Sequence, residues 1–166
     1  VFGTDWEGGL YIFDEQSKGS GRALHAARYD DVPVHLVAVN DSQSPPTIAA
    51  ASWNGEIHYW DASGTTIFPD SSLKLAHLPT QILPLANHHL VICDETGQIR
   101  IYDAQGNQVC SWSAPGSSNQ VGQIWADVEP GETLAGRLFA LLNRQSLVKI
   151  DLPSLHTETI EFPRPV

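Results

Sequence analysis

The sequence predicts an all-β protein built from repeated antiparallel sheets, and three observations support this. Short apolar runs alternate with turns rich in Gly, Pro and Ser along the 166 residues. A fourteen-residue pattern recurs four times. No window shows a sustained 3.6-residue apolar period with caps, so we expect almost no helix.

The recurring pattern predicts four β-hairpins. The copies, which align without a gap, are Val1–Asp14 (VFGTDWEGGLYIFD), Ile48–Asp61 (IAAASWNGEIHYWD), Leu90–Asp103 (LVICDETGQIRIYD) and Leu138–Asp151 (LFALLNRQSLVKID). Each copy has an apolar or small run, a polar turn and a second apolar run that closes on aspartate. The turn ends in Gly8, Gly55 and Gly97, as a turn that needs positive φ requires, and Gln145 replaces glycine in the fourth copy.

Two further strands are predicted between consecutive hairpins. The runs are RALHAA and VPVHLVAV, ASGTTIFP and LPTQILPLA, and NQVCSWS and VGQIWADV, and HTETIEF follows the last hairpin. Four strands in about 40 to 48 residues are typical of a β-propeller blade. We therefore predict one propeller domain or partial propeller over residues 1–166, with about four four-stranded antiparallel blades. The blades are predicted at 1–31, 32–78, 79–118 and 119–166, and the first lacks its innermost strand.

The copies resemble WD40 repeats. In particular, SWNGEIHYWD resembles the end of such a repeat, with its Ser-x-Asn-Gly turn and its Trp60–Asp61 dipeptide. The Gly-His dipeptide of that family is missing from every copy, so its hydrogen-bonded tetrad is not carried over. The resemblance implies a β-propeller that serves as a non-catalytic scaffold for protein interactions.

A blade has to cover both of its faces with neighbours, so the predicted array has to be completed. The chain contains no methionine, and Val1 aligns with the second strand of a repeat. We therefore expect a segment of a larger propeller, completed by further sequence or by a partner protein. A closed four-bladed ring and a homodimer with eight blades are the two alternatives.

Charge and hydropathy limit the classes of partner. The net charge is −10 and the nine Lys and Arg residues are scattered, which argues against nucleic acid. No apolar stretch approaches the roughly 18 residues that span a bilayer, so no membrane partner is predicted. The expected partner is a protein with a basic patch, because complementary charge speeds encounter.

No catalytic motif occurs, so the sequence predicts no enzyme, no cofactor and no metal. We interpret His88 and His89 as a solvated turn. The recurring aspartates that close each hairpin are interpreted as structural caps that bond their own backbone. Cys93 and Cys110 are expected to be small buried residues.

The alternative function is that of a propeller enzyme, or of a protein that binds a sugar or another small ligand in its central channel. The strands that would line the channel offer His35, Gln81, Gln123 and Asp127. These four residues are a weak basis for a catalytic site.

Residues that break the repeat at equivalent turns are the better candidates for a contact surface. They lie in the hairpin turns and in the loops between blades, which we expect on one side of the ring. The predicted partner-binding residues are Trp6, Tyr29, Asp30, Trp53, His77, Glu95, Asn119 and Arg144. Trp, Tyr and Arg dominate binding hot spots. The competing interpretation is that the tryptophans cover neighbouring blades.

Overall fold

The computed structural model describes most of the chain. The described residues are 2–4, 9–13, 23–28, 34–40, 47–61, 73–114, 121–128, 136–143, 145–152 and 154–163. They form four antiparallel sheets, with a single 3₁₀ turn at Ala86–His88. Within this part of the chain, no helix is long and apolar enough to cross a membrane.

Strand order within each sheet follows the order of the chain. Sheet 1 contains β1 (Phe2–Thr4), β2 (Gly9–Phe13) and β3 (Ala23–Arg28). Sheet 2 contains β4 (Val34–Asn40), β5 (Thr47–Ser52), β6 (Glu56–Asp61) and β7 (Leu73–Lys74). Sheet 3 contains β8 (Pro79–Pro84), β9 (Leu90–Asp94), β10 (Gln98–Tyr102) and β11 (Gln108–Ser113). Sheet 4 contains β12 (Val121–Val128), β13 (Gly136–Leu142), β14 (Ser146–Leu152) and β15 (His156–Glu161).

The four predicted hairpins are confirmed, and they share one register. The residues that correspond in the four copies pair as Phe2 with Ile12, Ala49 with Tyr59, Val91 with Ile101, and Phe139 with Lys149. A slip of one residue would turn every side chain to the other face. The shared register therefore shows that the sequence repeat is a structural repeat.

The predicted strands between the hairpins are also present. VGQIWADV coincides with β12, and five other predicted runs overlap β3, β4, β8, β11 and β15. The run ASGTTIFP lies outside the described residues, and the outermost strand of sheet 2 is described at Leu73–Lys74. Sheet 1 has three strands among the described residues, as the count of strands in the sequence predicted.

The hairpin turns explain why glycine recurs and why the fourth copy does without it. Gly55 donates its N–H to Ser52 O and Gly97 to Asp94 O, each at 3.0 Å, and their φ angles are 82° and 77°. In the fourth copy Gln145 N–H bonds Leu142 O at 2.9 Å, but the positive φ of 49° falls on Asn143. Asparagine tolerates this conformation, so no glycine is needed at position 145.

Replacing Gly55 by alanine is expected to cost more stability than replacing Gly122. The change at Gly55 puts a Cβ into left-handed backbone, with φ 82°, which costs about 1 kcal/mol. The added Cβ would also lie 2.9 Å from Leu75 O, whereas a Cβ at Gly122 would meet Leu141 O at an ordinary 3.6 Å. We expect Gly55→Ala to lower the free energy of unfolding by about 1–2 kcal/mol in urea titrations and to exceed Gly122→Ala. Equal losses would contradict the strain expected at Gly55.

Sheet 3 is covered on both faces, and this arrangement places the core. Against sheet 2 it packs Ile82, Leu90, Ile92 and Tyr102, which meet Ala49, Ala51, Ile57 and Tyr59. Against sheet 4 it packs Val91, Cys93, Ile99 and Ile101, which meet Ile124, Leu138, Ala140, Leu142, Val148 and Ile150. A strand buried on both faces is apolar at nearly every position, as in LVIC. Cys93 is buried and Cys110 half-buried, and neither forms a disulfide.

The interpretation of His88 and His89 as a solvated turn is wrong. His89 is buried, and its carbonyl accepts a hydrogen bond from the Tyr59 hydroxyl at 3.3 Å. His88 is half-buried, and its Nδ1 is buried without a hydrogen-bond partner among the described residues. Burial raises the pKa of the Tyr59 hydroxyl to about 12, so this hydroxyl donates from its neutral form. The turn thus joins sheets 2 and 3.

Candidate interaction surface

Three of the eight predicted contact residues fall in the described part of the chain: Trp53, His77 and Glu95. The other five lie outside it: Trp6, Tyr29, Asp30, Asn119 and Arg144. In the fourth hairpin, Asn143 occupies the position that corresponds to Trp53 and Glu95. Arg144 corresponds to the next position, that of Asn54 and Thr96.

The turn that carries Glu95 is held in place by hydrogen bonds to the side chain of Asp94. Asp94 Oδ1 accepts hydrogen bonds from the Thr96 N–H (2.9 Å), the Thr96 hydroxyl (2.5 Å) and the Gln98 N–H (3.2 Å). Asp94 Oδ2 lies 2.6 Å from Arg100 Nη1. Burial raises the pKa of this carboxyl, but the hydrogen bonds from Thr96, Arg100 and Gln98 outweigh burial and hold the pKa below its usual value. The turn is therefore built around a buried carboxylate.

Glu95 links its turn to the connection between sheets 2 and 3. Its backbone N–H donates to Leu78 O at 3.0 Å, and its Oε1 accepts from the Leu78 N–H at 3.3 Å. The same Oε1 lies 3.9 Å from His77 Nδ1. About half of each side chain is exposed, 48% for His77 and 53% for Glu95. An acidic group and an imidazole thus stand together at the surface.

Trp53 lies at the same edge of the molecule. Its turn is anchored by Leu75, whose N–H donates to Gly55 O at 3.0 Å, so the stretch 75–78 contacts both turns. Asn54 Oδ1 accepts from the Glu56 N–H at 3.1 Å and from the Ser52 hydroxyl. The indole above this turn is 58% exposed. We call Trp53, His77 and Glu95 the turn surface.

The turn surface offers a large aromatic ring at the same edge of the molecule as one acid and one imidazole. Among the described residues, no three His, Cys, Asp or Glu side chains converge as metal ligands.

The recurring aspartates differ from one copy to the next. Asp103 caps its own turn, since its Oδ1 accepts from the Gln105 and Asn107 N–H groups at 2.9 Å each, as predicted. Partial burial raises the pKa of the Asp103 carboxyl, but the hydrogen bonds from Asn107 and Gln105 outweigh burial and hold this pKa below its usual value. Asp151 instead lies 3.5 Å from both Arg137 Nε and Lys149 Nζ. The side chains of Asp14 and Asp61 lie outside the part of the chain that the structure describes.

Gln81, considered above as a channel residue, has a different role. Its Nε2 donates to Gly122 O at 2.8 Å, and its Oε1 accepts from the Ile124 N–H at 2.7 Å. One amide thus bridges β8 of sheet 3 to β12 of sheet 4. We call this contact the Gln81 bridge. Sequence reasoning missed it, because nothing local to Gln81 indicates which strand its amide meets.

The position of Gln81 recurs in the innermost strand of each four-stranded sheet. In all three sheets, the pairing of this strand with the next shifts at one place: between Val34 and Leu36, Pro79 and Gln81, and Val121 and Gln123. Such a bulge bends the strand and re-aims its side chains. Leu36, Gln81 and Gln123 are therefore equivalent positions.

Comparison with solved structures shows the fold. The chain is similar to BBS1N in crystals of its complex with ARL6DN, one soaked with mercury and one with lead. The TM-score is 0.74 and the sequence identity 14% in both cases, and the match covers 99% of this chain. Together with the four consecutive antiparallel sheets, this match identifies a β-propeller fold. The predicted fold class is confirmed.

The match covers only part of the BBS1N chains. The chain spans about half the length of the BBS1N chains, 51% and 50% in the two crystals. No protein-family model matches the sequence, and no curated protein matches it either.

Proposed function

We propose that the chain is a segment of a WD40-like β-propeller that binds a protein partner through the turn surface. It acts as a non-catalytic scaffold within a larger assembly. The observation that carries this proposal is the exposed indole of Trp53 above an anchored turn, at the same edge as the His77–Glu95 pair.

An anchored turn favours binding because little conformational freedom is lost when the partner docks. The hydrogen bonds of Asp94, Asn54 and Leu75 hold both turns before any partner arrives. Tryptophan is enriched among the residues that dominate interface energies. Exposing it on a pre-ordered turn therefore suits recognition of a protein surface.

Two further findings support a scaffold. BBS1N, whose fold is similar, was crystallised in complex with ARL6DN, so a propeller of this kind serves as a partner-binding domain there. In this chain the amide of Gln81 is engaged with the backbone of β12 instead of facing a ligand. The net charge of −10 favours a partner with a basic patch.

The proposal is tested by affinity purification of the tagged chain from its source cells, with Trp53→Ser compared against Val109→Ser. Val109 is also a large exposed apolar residue, but it lies on the outermost strand of sheet 3. We expect a partner that the wild type and Val109→Ser retain and that Trp53→Ser loses at least tenfold. Binding of that partner should weaken as salt rises.

Equal melting temperatures of the two variants show that Trp53→Ser has not lost binding through unfolding. Retention of every co-purifying protein by Trp53→Ser at wild-type levels would overturn the assignment of the turn surface.

A further inference from the structure

Sheet 4 has one covered face and one open face. Leu138, Ala140 and Ile150 are buried against sheet 3. The alternate positions of the same strands carry the outer face of sheet 4. One half of this face is apolar and carries Trp125, Phe139, Leu141, Leu147 and Ile160 beside Gln123 and Lys149, and the other half carries Asp127, Arg137, Asp151, His156 and Glu158. Trp125 is 39% exposed and Ile160 50% exposed. The apolar half of the face is thus left in contact with water.

The side chains of the apolar half contact one another. The rings of Trp125 and Phe139 stack with their centroids 5.7 Å apart. Next to them, one cross-strand row runs through Gln123, Leu141, Leu147 and Ile160. Exposed apolar patches of this kind mark interaction sites.

In sheet 3, the equivalent cross-strand row is covered by the neighbouring sheet 4. This row runs through Gln81, Cys93, Ile99 and Trp112. Sheet 4 packs on Cys93, Ile99 and Trp112, and Gln81 bonds the backbone of β12. The two rows match position for position, including the bulge in front of each glutamine.

Gln123 therefore stands where Gln81 stands, one sheet further on. Gln81 bonds a carbonyl and, two residues later, an N–H of the neighbouring innermost strand. Gln123 is exposed, and its amide bonds no described residue. An amide in this geometry is suited to the same two backbone groups of a further strand.

We propose that the outer face of sheet 4 docks a further four-stranded antiparallel blade, whose innermost strand bonds the amide of Gln123. This continues the interface between sheets 3 and 4 by one step. It rests on the part of the proposed function that makes the chain a segment of a larger assembly. A second copy of the chain fits less well, because each copy carries a net charge of −10 and like charges oppose association.

The chain supplies its own probe, since sheet 4 is a blade that docks on such a face. A second copy of residues 119–166 is fused after Val166 of the full chain. This fusion leaves as many residues between the two copies of sheet 4 as residues 114–120 leave between β11 and β12. The probe can then occupy the outer face as sheet 4 occupies sheet 3.

Docking is read from thiol labelling at two neighbouring positions of β15 in the original sheet 4. Ile160→Cys places a thiol on the outer face, and Thr159→Cys places one on the opposite face of the same strand; both positions are exposed. We expect the fusion to slow maleimide labelling at position 160 at least tenfold and to leave position 159 unchanged. Gln123→Ala in the original sheet 4 should restore much of the labelling, while Gln105→Ala, at an exposed turn, should not.

Three outcomes would overturn the proposal. In the first, labelling at position 160 is unchanged both in this fusion and in a second fusion that duplicates residues 79–166, which carry a packed pair of sheets. In the second, position 160 is protected in the unfused chain together with a solution mass of about twice 18.1 kDa, which would assign the face to a second copy. In the third, Gln105→Ala and Gln123→Ala have equal effects. Partner capture through Trp53 does not involve position 160, so the two proposals fail separately.

Discussion

Asp94→Ala is expected to lower the free energy of unfolding by about 3–5 kcal/mol, the typical cost of removing one partner of a buried ion pair. The Asp94 side chain is fully buried, and that of Arg100 is only 16% exposed. Without the carboxylate, Arg100 Nη1 and the N–H groups of Thr96 and Gln98 lose their acceptor. Urea titrations at pH 7 measure the loss.

Asp103→Ala is the matched control for Asp94→Ala. Asp103 also caps a turn with two backbone hydrogen bonds, but it is only half-buried and its partners reach water. Its removal should cost about 1 kcal/mol. Equal losses for the two variants would contradict the view that burial and the Arg100 contact make Asp94 the anchor of its turn.

The dependence of the free energy of unfolding on pH, below neutral pH, gives a second measure of the contribution of Asp94. The folded-state pKa of Asp94 lies below its usual value, so its contribution is present above the unfolded pKa of about 4. That contribution is lost as the pH falls through the folded pKa. Between about pH 5 and pH 2, Asp94→Asn should therefore lose less stability than the wild type does. Parallel curves would show that the Asp94 charge contributes nothing.

Gln81→Ala is expected to cost about 1–2 kcal/mol, because it leaves the N–H of the buried Ile124 without its acceptor, while the exposed Gly122 carbonyl can bond water instead. The Gly122 carbonyl and the Ile124 N–H belong to a different sheet from Gln81. The loss should therefore appear as weaker docking of sheet 4 on sheet 3. A lower midpoint and a broader urea transition, as sheet 4 separates first, are the expected result.

Gln105→Ala is the matched control for Gln81→Ala, since Gln105 is exposed in the turn between β10 and β11. It should stay within about 0.5 kcal/mol of the wild type. A Gln81→Ala midpoint equal to that of Gln105→Ala would show that water replaces the Gln81 bridge at no cost.

The hairpins could be predicted from the sequence because their information is local. Glycine at positions 55 and 97 and alternation such as that of Gln98–Tyr102 fix a turn and a register without reference to other sheets. The four gapless copies then gave the number of sheets. The outermost strand of sheet 2, at Leu73–Lys74, was missed because two residues carry no periodicity.

The repeat pattern of the sequence could not predict the contacts between sheets. Gln81 and Gln123 are the same residue type at the same register position, yet one bridges two sheets and the other is exposed. His89 was misjudged because its burial depends on Tyr59, thirty residues away in another sheet. For the contact surface, the sequence placed Trp53 and Glu95 in hairpin turns and His77 in a loop between blades, but the link from Glu95 to Leu78 needed the structure.

The central claim is that successive sheets stack as propeller blades, with the innermost strand of one beside that of the next. Amide hydrogen exchange of Ile124 tests this most directly, because its N–H leaves its own sheet to bond Gln81. The account predicts a protected Ile124 amide whose exchange rises at least tenfold in Gln81→Ala, with Ile92 in β9 unaffected. Free exchange of the Ile124 amide in the wild-type chain, with Ile92 protected, would contradict the stacking of sheet 4 on sheet 3.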